Sequence, residues 1–406
     1  MKMNETPSAN RVHIAFFGRR NTGKSSLVNA VTGQNLALVS HVKGTTTDPV
    51  YKAMELLPLG PVVIIDTPGF DDEGELGELR VRRTKQVLNK SDAAVLVIDT
   101  SFPAPDTDLL PDEQELVGTF KERKIPHIIV RNKCDLFDTQ VDTTYDGEIL
   151  PVSAKTGFNI NLLKEKIAAV AMPKEPDQRL VADLIQMLDL VVLVIPIDKA
   201  APKGRLILPQ QQVIRDILES GGVAAAVRES ELEKALVDLG KKPALVITDS
   251  QAFAQVSAIV PQEIPLTSFS ILFARYKGFL KTAVKGAAAL DTLQAGDKVL
   301  ICEGCTHHRQ CDDIGTVKLP RWIKSHTAKE PDFSFCSGGD FPHNLSAYKL
   351  IIHCGACMLN EREMQHRKRY AEDQNIPFTN YGTAIAHIQG ILKRSIAMLD
   401  TEEEGQ

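Results

Sequence analysis

Two groups of residues in this chain could do chemistry, and they lie at opposite ends of it. Near the start stands Gly18-Arg19-Arg20-Asn21-Thr22-Gly23-Lys24-Ser25, followed by Ser26. The two glycines let the backbone wrap until its N–H groups point at a β-phosphate, with the positive end of the following helix dipole behind them. Lys24 is placed to reach the β- and γ-phosphates and Ser25 to ligate Mg2+. Near the other end, six of the seven cysteines fall between Cys302 and Cys357, with histidines among them. Thiols grouped in a reducing compartment read as metal ligands before they read as disulfides.

Three later motifs complete a guanine-nucleotide site. In Asp66-Thr67-Pro68-Gly69, Asp66 is expected to hold Mg2+ through water and the Gly69 N–H to meet the γ-phosphate. In Asn132-Lys133-Cys134-Asp135, the Asp135 carboxylate can accept hydrogen bonds from the N1–H and exocyclic amine of guanine, which adenine cannot supply. Ser153-Ala154-Lys155 fits a loop whose backbone N–H meets the guanine O6. Each motif must be delivered by a strand, and apolar runs at residues 12–17, 62–65, 128–130 and 149–152 precede them, with a further buried strand at 93–98.

The 406 residues exceed what one hydrophobic core supports, so two or three domains are expected. A formal charge of −5 and the lack of a long Lys/Arg run argue against nucleic acid as the main partner. Apolar stretches such as residues 190–197 fall far short of the ~20 residues that span a bilayer. The polar residues 1–11 lack the apolar core of a signal peptide. A cytoplasmic protein with no membrane association is expected. Pro173-Lys174-Glu175-Pro176-Asp177 ends a helix at 162–170 and reads as a linker. Beyond it, strands at 190–195, 223–227 and 244–248 alternate with helices at 210–218 and 231–239, without a catalytic constellation. This pattern suits a small α/β interaction domain.

In the third region, a helical stretch begins near Ser268, a strand at 298–301 leads into Cys302-Glu303-Gly304-Cys305-Thr306-His307-His308, and a strand at 348–352 leads into His353-Cys354-Gly355-Ala356-Cys357. Loops at strand ends leave sulfurs free to converge. Two C-x-x-C pairs could hold zinc, although the segment between Cys305 and Cys354 is more than twice the usual zinc-ribbon spacing of ~15–20 residues. Cys302 reads as a packed strand-end residue or a substitute ligand, and Cys336 and Cys134 as structural. Cys311 lies close enough to perturb the ligand set. Use of Cys302 and Cys305 as a redox dithiol lacks a thioredoxin-like context. Residues 361–374 read as a charged, solvated helix, and 384–399 as one amphipathic helix covering the sheet.

Cys305-Thr306-His307 followed by His353-Cys354-Gly355-Ala356-Cys357, behind guanine-nucleotide motifs, resembles the [FeFe]-hydrogenase maturation GTPase family, HydF. The resemblance covers essentially the whole chain. It implies an α/β protein of three domains: a P-loop GTPase fold (1–173), a small dimerising α/β domain (178–266) and a C-terminal iron-sulfur-binding α/β domain (268–406). It implies a [4Fe-4S] cluster on Cys305, Cys354 and Cys357, with His307, His353 or Asp312 as candidates for the fourth iron. It also implies a homodimer that accepts a di-iron precursor from two radical-SAM maturases and passes it to the hydrogenase apoprotein.

The N-terminal part resembles TrmE/Era-type small GTPases. There Phe70 occupies the place where other GTPases carry a water-orienting Gln. By that pattern Asn21 ligates K+, with a plain turn residue as the alternative, and Thr46 of Gly44-Thr45-Thr46-Thr47-Asp48 closes over the γ-phosphate and Mg2+. The expected catalytic set is Lys24, Thr46, Asp66 and Gly69, for slow, K+-stimulated hydrolysis of GTP. The competing reading is an RNA- or ribosome-associated assembly GTPase whose C-terminal cysteines hold structural zinc.

Overall fold

The computed structural model describes residues 7–33, 48–70, 75–99 (side chains from 83), 109–136, 149–172, 179–197, 206–305 and 313–399. Thr46, His307, His308, Cys311 and Asp312 lie outside the described residues. The chain divides into two compact units, Met1–Glu175 and Pro176–Gln406.

In the first unit, strands β1 (Val12–Phe17), β2 (Val50–Leu56), β3 (Gly60–Asp66), β4 (Ala93–Asp99), β5 (His127–Asn132) and β6 (Ile149–Pro151) form one sheet in the order β2-β3-β1-β4-β5-β6. Only β2 runs antiparallel to its neighbour. Helices α1 (Lys24–Thr32) and α4 (Ile160–Ala171) bury Leu27, Val28, Leu163 and Ile167 against one face. On the other face, α2 (Glu75–Lys90) and α3 (Pro111–Glu122) bury Val87, Leu88, Val117 and Phe120. Both faces are covered, which is why β1, β3 and β4 are continuous apolar runs rather than alternating ones. Each fully buried Ile or Leu contributes about 1.5–3 kcal/mol.

The second unit holds two sheets of four parallel strands. The first joins β7 (Leu190–Val194), β8 (Val223–Val227), β9 (Leu245–Thr248) and β10 (Leu266–Ser268) in the order β10-β9-β7-β8. The second joins β11 (Lys298–Glu303), β12 (Asp332–Ser337), β13 (Leu350–His353) and β14 (Phe378–Asn380) in the order β12-β11-β13-β14. Helices α5 (Leu208–Glu219), α6 (Leu232–Asp238), α7 (Phe253–Ile259), α8 (Phe269–Tyr276), α9 (Leu280–Ala287), α10 (Leu319–Thr327), α11 (Glu361–Asp373), α12 (Tyr381–Ile388) and α13 (Leu392–Ile396) connect and cover them. Residues of both sheets belong to one continuous apolar core.

The two sheets repeat one pattern, which the sequence reading did not find. In each, the second strand lies on one side of the first, and the third and fourth lie on the other. The hydrogen bonds repeat with it. Val223 N donates to Asp189 O as Asp332 N does to Asp297 O, and Val246 N donates to Pro265 O as Ile351 N does to Pro377 O. Asp189 Oδ2 caps Gln186 N, and Asp297 Oδ2 caps Gln294 N. With the structure as guide, the repeat is visible in the chain. Asp183, Gln186 and Asp189 correspond to Asp291, Gln294 and Asp297; Ile264-Pro265, Thr267, Ala274, Gly278 and Leu280-Lys281 correspond to Ile376-Pro377, Thr379, Ala386, Gly390 and Leu392-Lys393. Gly278 and Gly390 both end a helix with left-handed backbone, at φ 68° and 69°.

Two expectations change. The single helix read at 384–399 is two, α12 and α13, because Gly390 adopts that left-handed turn. The charged helix α11 is not wholly solvated: Met364, Arg367 and Ala371 are buried. Gly286 of α9 lies so close to β14 that an added Cβ would stand 2.1 Å from Phe378 O. Gly286→Ala is therefore expected to destabilise the second unit by about 1–3 kcal/mol, read by urea unfolding; an unchanged midpoint would contradict this packing.

Candidate functional site

The nucleotide motifs gather at the carboxyl ends of β1, β3, β5 and β6. The register sets this up, aligning Phe16 with Asp66 and Asp99 with Asn132. Gly18 sits where a Cβ would meet Val97 O at 2.3 Å. Gly23, at φ 84°, would place a Cβ 2.3 Å from Asn132 Nδ2. Glycine is required at both positions on grounds of space. Lys24 is buried, and its Nζ donates to Gly18 O at 2.6 Å and Arg19 O at 2.5 Å. Ser25 Oγ donates to Asp66 Oδ2 at 2.6 Å. The other oxygen of Asp66 is buried with no hydrogen-bond partner within the protein. Burial raises the Asp66 pKa, opposed by the Ser25 bond and by Lys24 and Lys52. A desolvated carboxylate with one spare oxygen beside a serine hydroxyl fits a hard divalent cation.

Asn132 does structural duty that its motif did not reveal. Its Nδ2 donates to Thr22 O at 2.9 Å, and its Oδ1 accepts from Ala154 N at 3.1 Å, so one side chain ties the phosphate loop to the 153–155 loop. Ser153 Oγ donates to Asp135 Oδ1 at 2.6 Å and holds that carboxylate in place. Lys133 pairs with Asp99 at 2.6 Å, and Arg19 with Asp112 at 3.3 Å. Asn21 is exposed, with left-handed backbone at φ 61°. Arg20 and Ser26 are half-buried and Lys155 is exposed. Gly69 lies in the loop after β3, and Phe70 packs partly against the apolar cluster containing Phe17 and Ile65.

The thiol site lies at the carboxyl ends of β11 and β13. These neighbours, Cys302 opposite His353, stand where the strand order reverses, the usual ligand crevice of an open α/β sheet. Cys354 Sγ accepts from Gly304 N at 3.1 Å and Ala356 N at 3.3 Å. Burial, with repulsion from Cys354 and Cys357, pushes the Cys305 thiol up to about 12. Burial and Cys357 push Cys354 up to about 11, and burial raises Cys357. Three mutually repelling thiols need a cationic centre to ionise together, which is what a metal or cluster supplies.

Cys305, Cys354 and Cys357 are each half-buried, in the loops that leave β11 and β13. Cys302 does not join them as a close ligand; it is fully buried, with its Sγ 3.0 Å from Cys336 Sγ on β12.

Both ring nitrogens of His353 are hydrogen-bonded within the protein. Its Nε2 accepts from Arg367 Nη1 at 3.0 Å and its Nδ1 donates to Cys354 O at 3.1 Å. Burial and the Arg367 charge lower its pKa to about 3, keeping the ring neutral. Arg367 is fully buried, also bonded to Glu363 and to Gly338 O. Lys277, just beyond α8, donates to the carbonyls of Ala356 at 2.5 Å and of Leu359. Burial lowers its pKa to about 8, against the pull of Cys357 and Cys354. Neither cation could be picked out from the sequence, where each sits among ordinary charged residues of a helix or its end.

The Hydrogen maturase F dimerization domain matches residues 180–278 and the Hydrogen maturase F tetramerization domain matches 281–398, while a 50S ribosome-binding GTPase family matches 13–133. GTPase Der of Wolinella succinogenes is 34% identical over 183 residues, 42% of this chain and 37% of that protein. The tRNA modification GTPase MnmE of Legionella pneumophila is 38% identical over 158 residues, 39% of this chain and 34% of that protein. The chain thus spans about a third of the length of these curated relatives. An Era variant of Aquifex aeolicus bound to GDP and aluminium fluoride aligns at 21% identity over 61% of this chain and 97% of its own, with a TM-score of 0.35. No helix of the described residues is long and apolar enough to cross a membrane.

Lys277→Met is expected to strand the Ala356 and Leu359 carbonyls, at about 1–3 kcal/mol each, and loosen the 354–357 loop. Limited proteolysis there should accelerate, and Lys277→Arg should restore part of the protection. Wild-type cleavage in Lys277→Met would refute the clamp.

Proposed function

We propose, from the premise that this chain belongs to the hydrogen maturase F family, that it is a GTP-hydrolysing scaffold that holds a [4Fe-4S] cluster and carries a di-iron precursor to the [FeFe]-hydrogenase apoprotein. One observation carries the cluster half: three half-buried thiols in the loops that leave β11 and β13, where the strand order reverses. Cys305, Cys354 and Cys357 hold three irons. His353 serves as a positioning residue for the Cys354 backbone, which leaves His307 or Asp312 for the fourth iron. Soft thiolates suit mixed-valence iron, and three fixed ligands leave one iron open to exchange.

In the GTPase half, Lys24 binds the β- and γ-phosphates, Ser25 and Asp66 hold Mg2+ together with Thr46, and Gly69 contacts the γ-phosphate. Asp135, supported by Ser153, selects guanine, and the Ala154 N–H meets O6. Mg2+ supplies positive charge to the phosphates when bound. Asn21 orients K+ beside them, in the role an arginine finger fills elsewhere. Ordering of the loops around Thr46 and Asp66 by GTP biases association with the two radical-SAM maturases and the apoprotein. The boundaries 1–173, 178–266 and 268–406 assign switch, dimerisation and cluster to successive segments of a cytoplasmic homodimer. The ribosomal reading draws on the family match at 13–133; the dimerization and tetramerization domain matches at 180–278 and 281–398 weigh against it.

The deciding measurement is metal content after anaerobic purification. About four irons per chain, lost in Cys354→Ser, are expected; one zinc and no iron would replace this reading with the assembly GTPase. Hydrolysis should be at least about tenfold faster in KCl than in NaCl, with the difference abolished in Asn21→Ala. Equal rates in both salts would remove the K+ role.

A further inference from the structure

Asp291, His326 and His387 come from three separate elements: the 3-10 turn Ala288–Thr292, α10 and α12. His326 Nε2 lies 2.7 Å from Asp291 Oδ1, and His387 Nε2 lies 2.9 Å from Asp291 Oδ2. The two rings stand 5.9 Å apart at 67°. The imidazole side chains are 24% and 22% exposed and the carboxylate 53%, so the group opens to solvent on one side.

The internal repeat shows what this position requires. Asp291 corresponds to Asp183, and His387 to Arg275. In the first copy, Arg275 bonds both oxygens of Asp183 through its two terminal nitrogens, and a permanent cation neutralises the carboxylate. In the second copy that guanidinium is absent. Two imidazoles take its place, one on each oxygen. Two Nε2 atoms and a carboxylate oxygen on one small locus are a ligand set of borderline divalent metals, with a remaining position for water.

We propose that Asp291, His326 and His387 bind a divalent transition cation of the zinc type, which sits at this carboxylate where the Arg275 guanidinium sits in the first copy. The cation ties the turn before β11 to α10 and α12 and acts as a surface staple. It is a separate centre from the thiol site and does not depend on what the thiols hold.

Co2+ and Zn2+ added to the full-length protein test it. Cobalt on thiolates shows sulfur-to-metal charge transfer, whereas cobalt on nitrogen and oxygen shows only weak d–d bands. A Co2+ population without charge transfer is expected, displaced by Zn2+ and weakened by more than about tenfold in His326→Gln and in His387→Gln, with the thiolate-bound population unchanged. Zn2+ should raise the melting temperature of the wild type by more than that of either variant, in which only the thiol site remains to bind it. Should either variant misfold by far-UV circular dichroism, Asp291→Asn, which keeps the side-chain volume, must show the same loss. Cobalt found only with thiolate charge transfer, or a nitrogen-bound population that persists in the variants, would overturn the proposal.

Discussion

A parallel strand buried on both faces can offer chemistry only at its ends, and this constraint organises all three sheets. The apolar runs of β1, β3, β4, β7, β9, β11 and β13 are committed to packing. Their carboxyl ends, and the loops that leave them, hold every described residue of the phosphate, guanine and thiol motifs. The glycines of the phosphate loop follow from the same constraint. The loop that leaves β1 passes close to Val97 O of β4 and Asn132 Nδ2 of β5, and has room there only where Gly18 and Gly23 lack a Cβ.

The second unit shows how little of a site belongs to its scaffold. The same four-stranded pattern occurs twice, yet the positions matching Cys305 and Cys354 are Ile197 and Asp249 in the first copy. Function is grafted onto one copy of a repeated frame. Each copy contributes to the electrostatic support that thiols at a buried edge need, Lys277 from the first and Arg367 from the second. Lys277 fixes the carbonyls of the 354–357 loop, and Arg367 fixes the ring of His353. Both cations are desolvated, and such groups persist inside a protein only when their donors are fully used.

The nucleotide motifs and the strands that deliver them were legible in the sequence, because a local rule governs them: strand, glycine loop and helix in succession. Paired cysteines after apolar runs marked a metal site, and the choice of Cys305, Cys354 and Cys357 came from the family resemblance. The helix-period and strand-period signals placed β7, α5, β8, α6, β9, β11, β13 and α11 within a few residues, and left α7, β10, α9, α10, β12 and β14 unread. What the sequence left undecided depended on contacts between distant segments. Cys302 could be a ligand or a packed residue until its partner across the sheet proved to be Cys336. Only the folded chain showed Arg367, in a helix that reads as wholly charged, donating to the ring nitrogen of His353. Asn132 read as part of a base-recognition motif, and only the folded chain showed it bracing Thr22 and Ala154. The repeat escaped notice because its matching residues are sparse and about 110 positions apart. The sequence determined which chemistry is present, since residue type and short spacing carry that information. The tertiary structure decided which of those residues face one another, since burial and hydrogen bonding across the chain set the ionisation and orientation of each group.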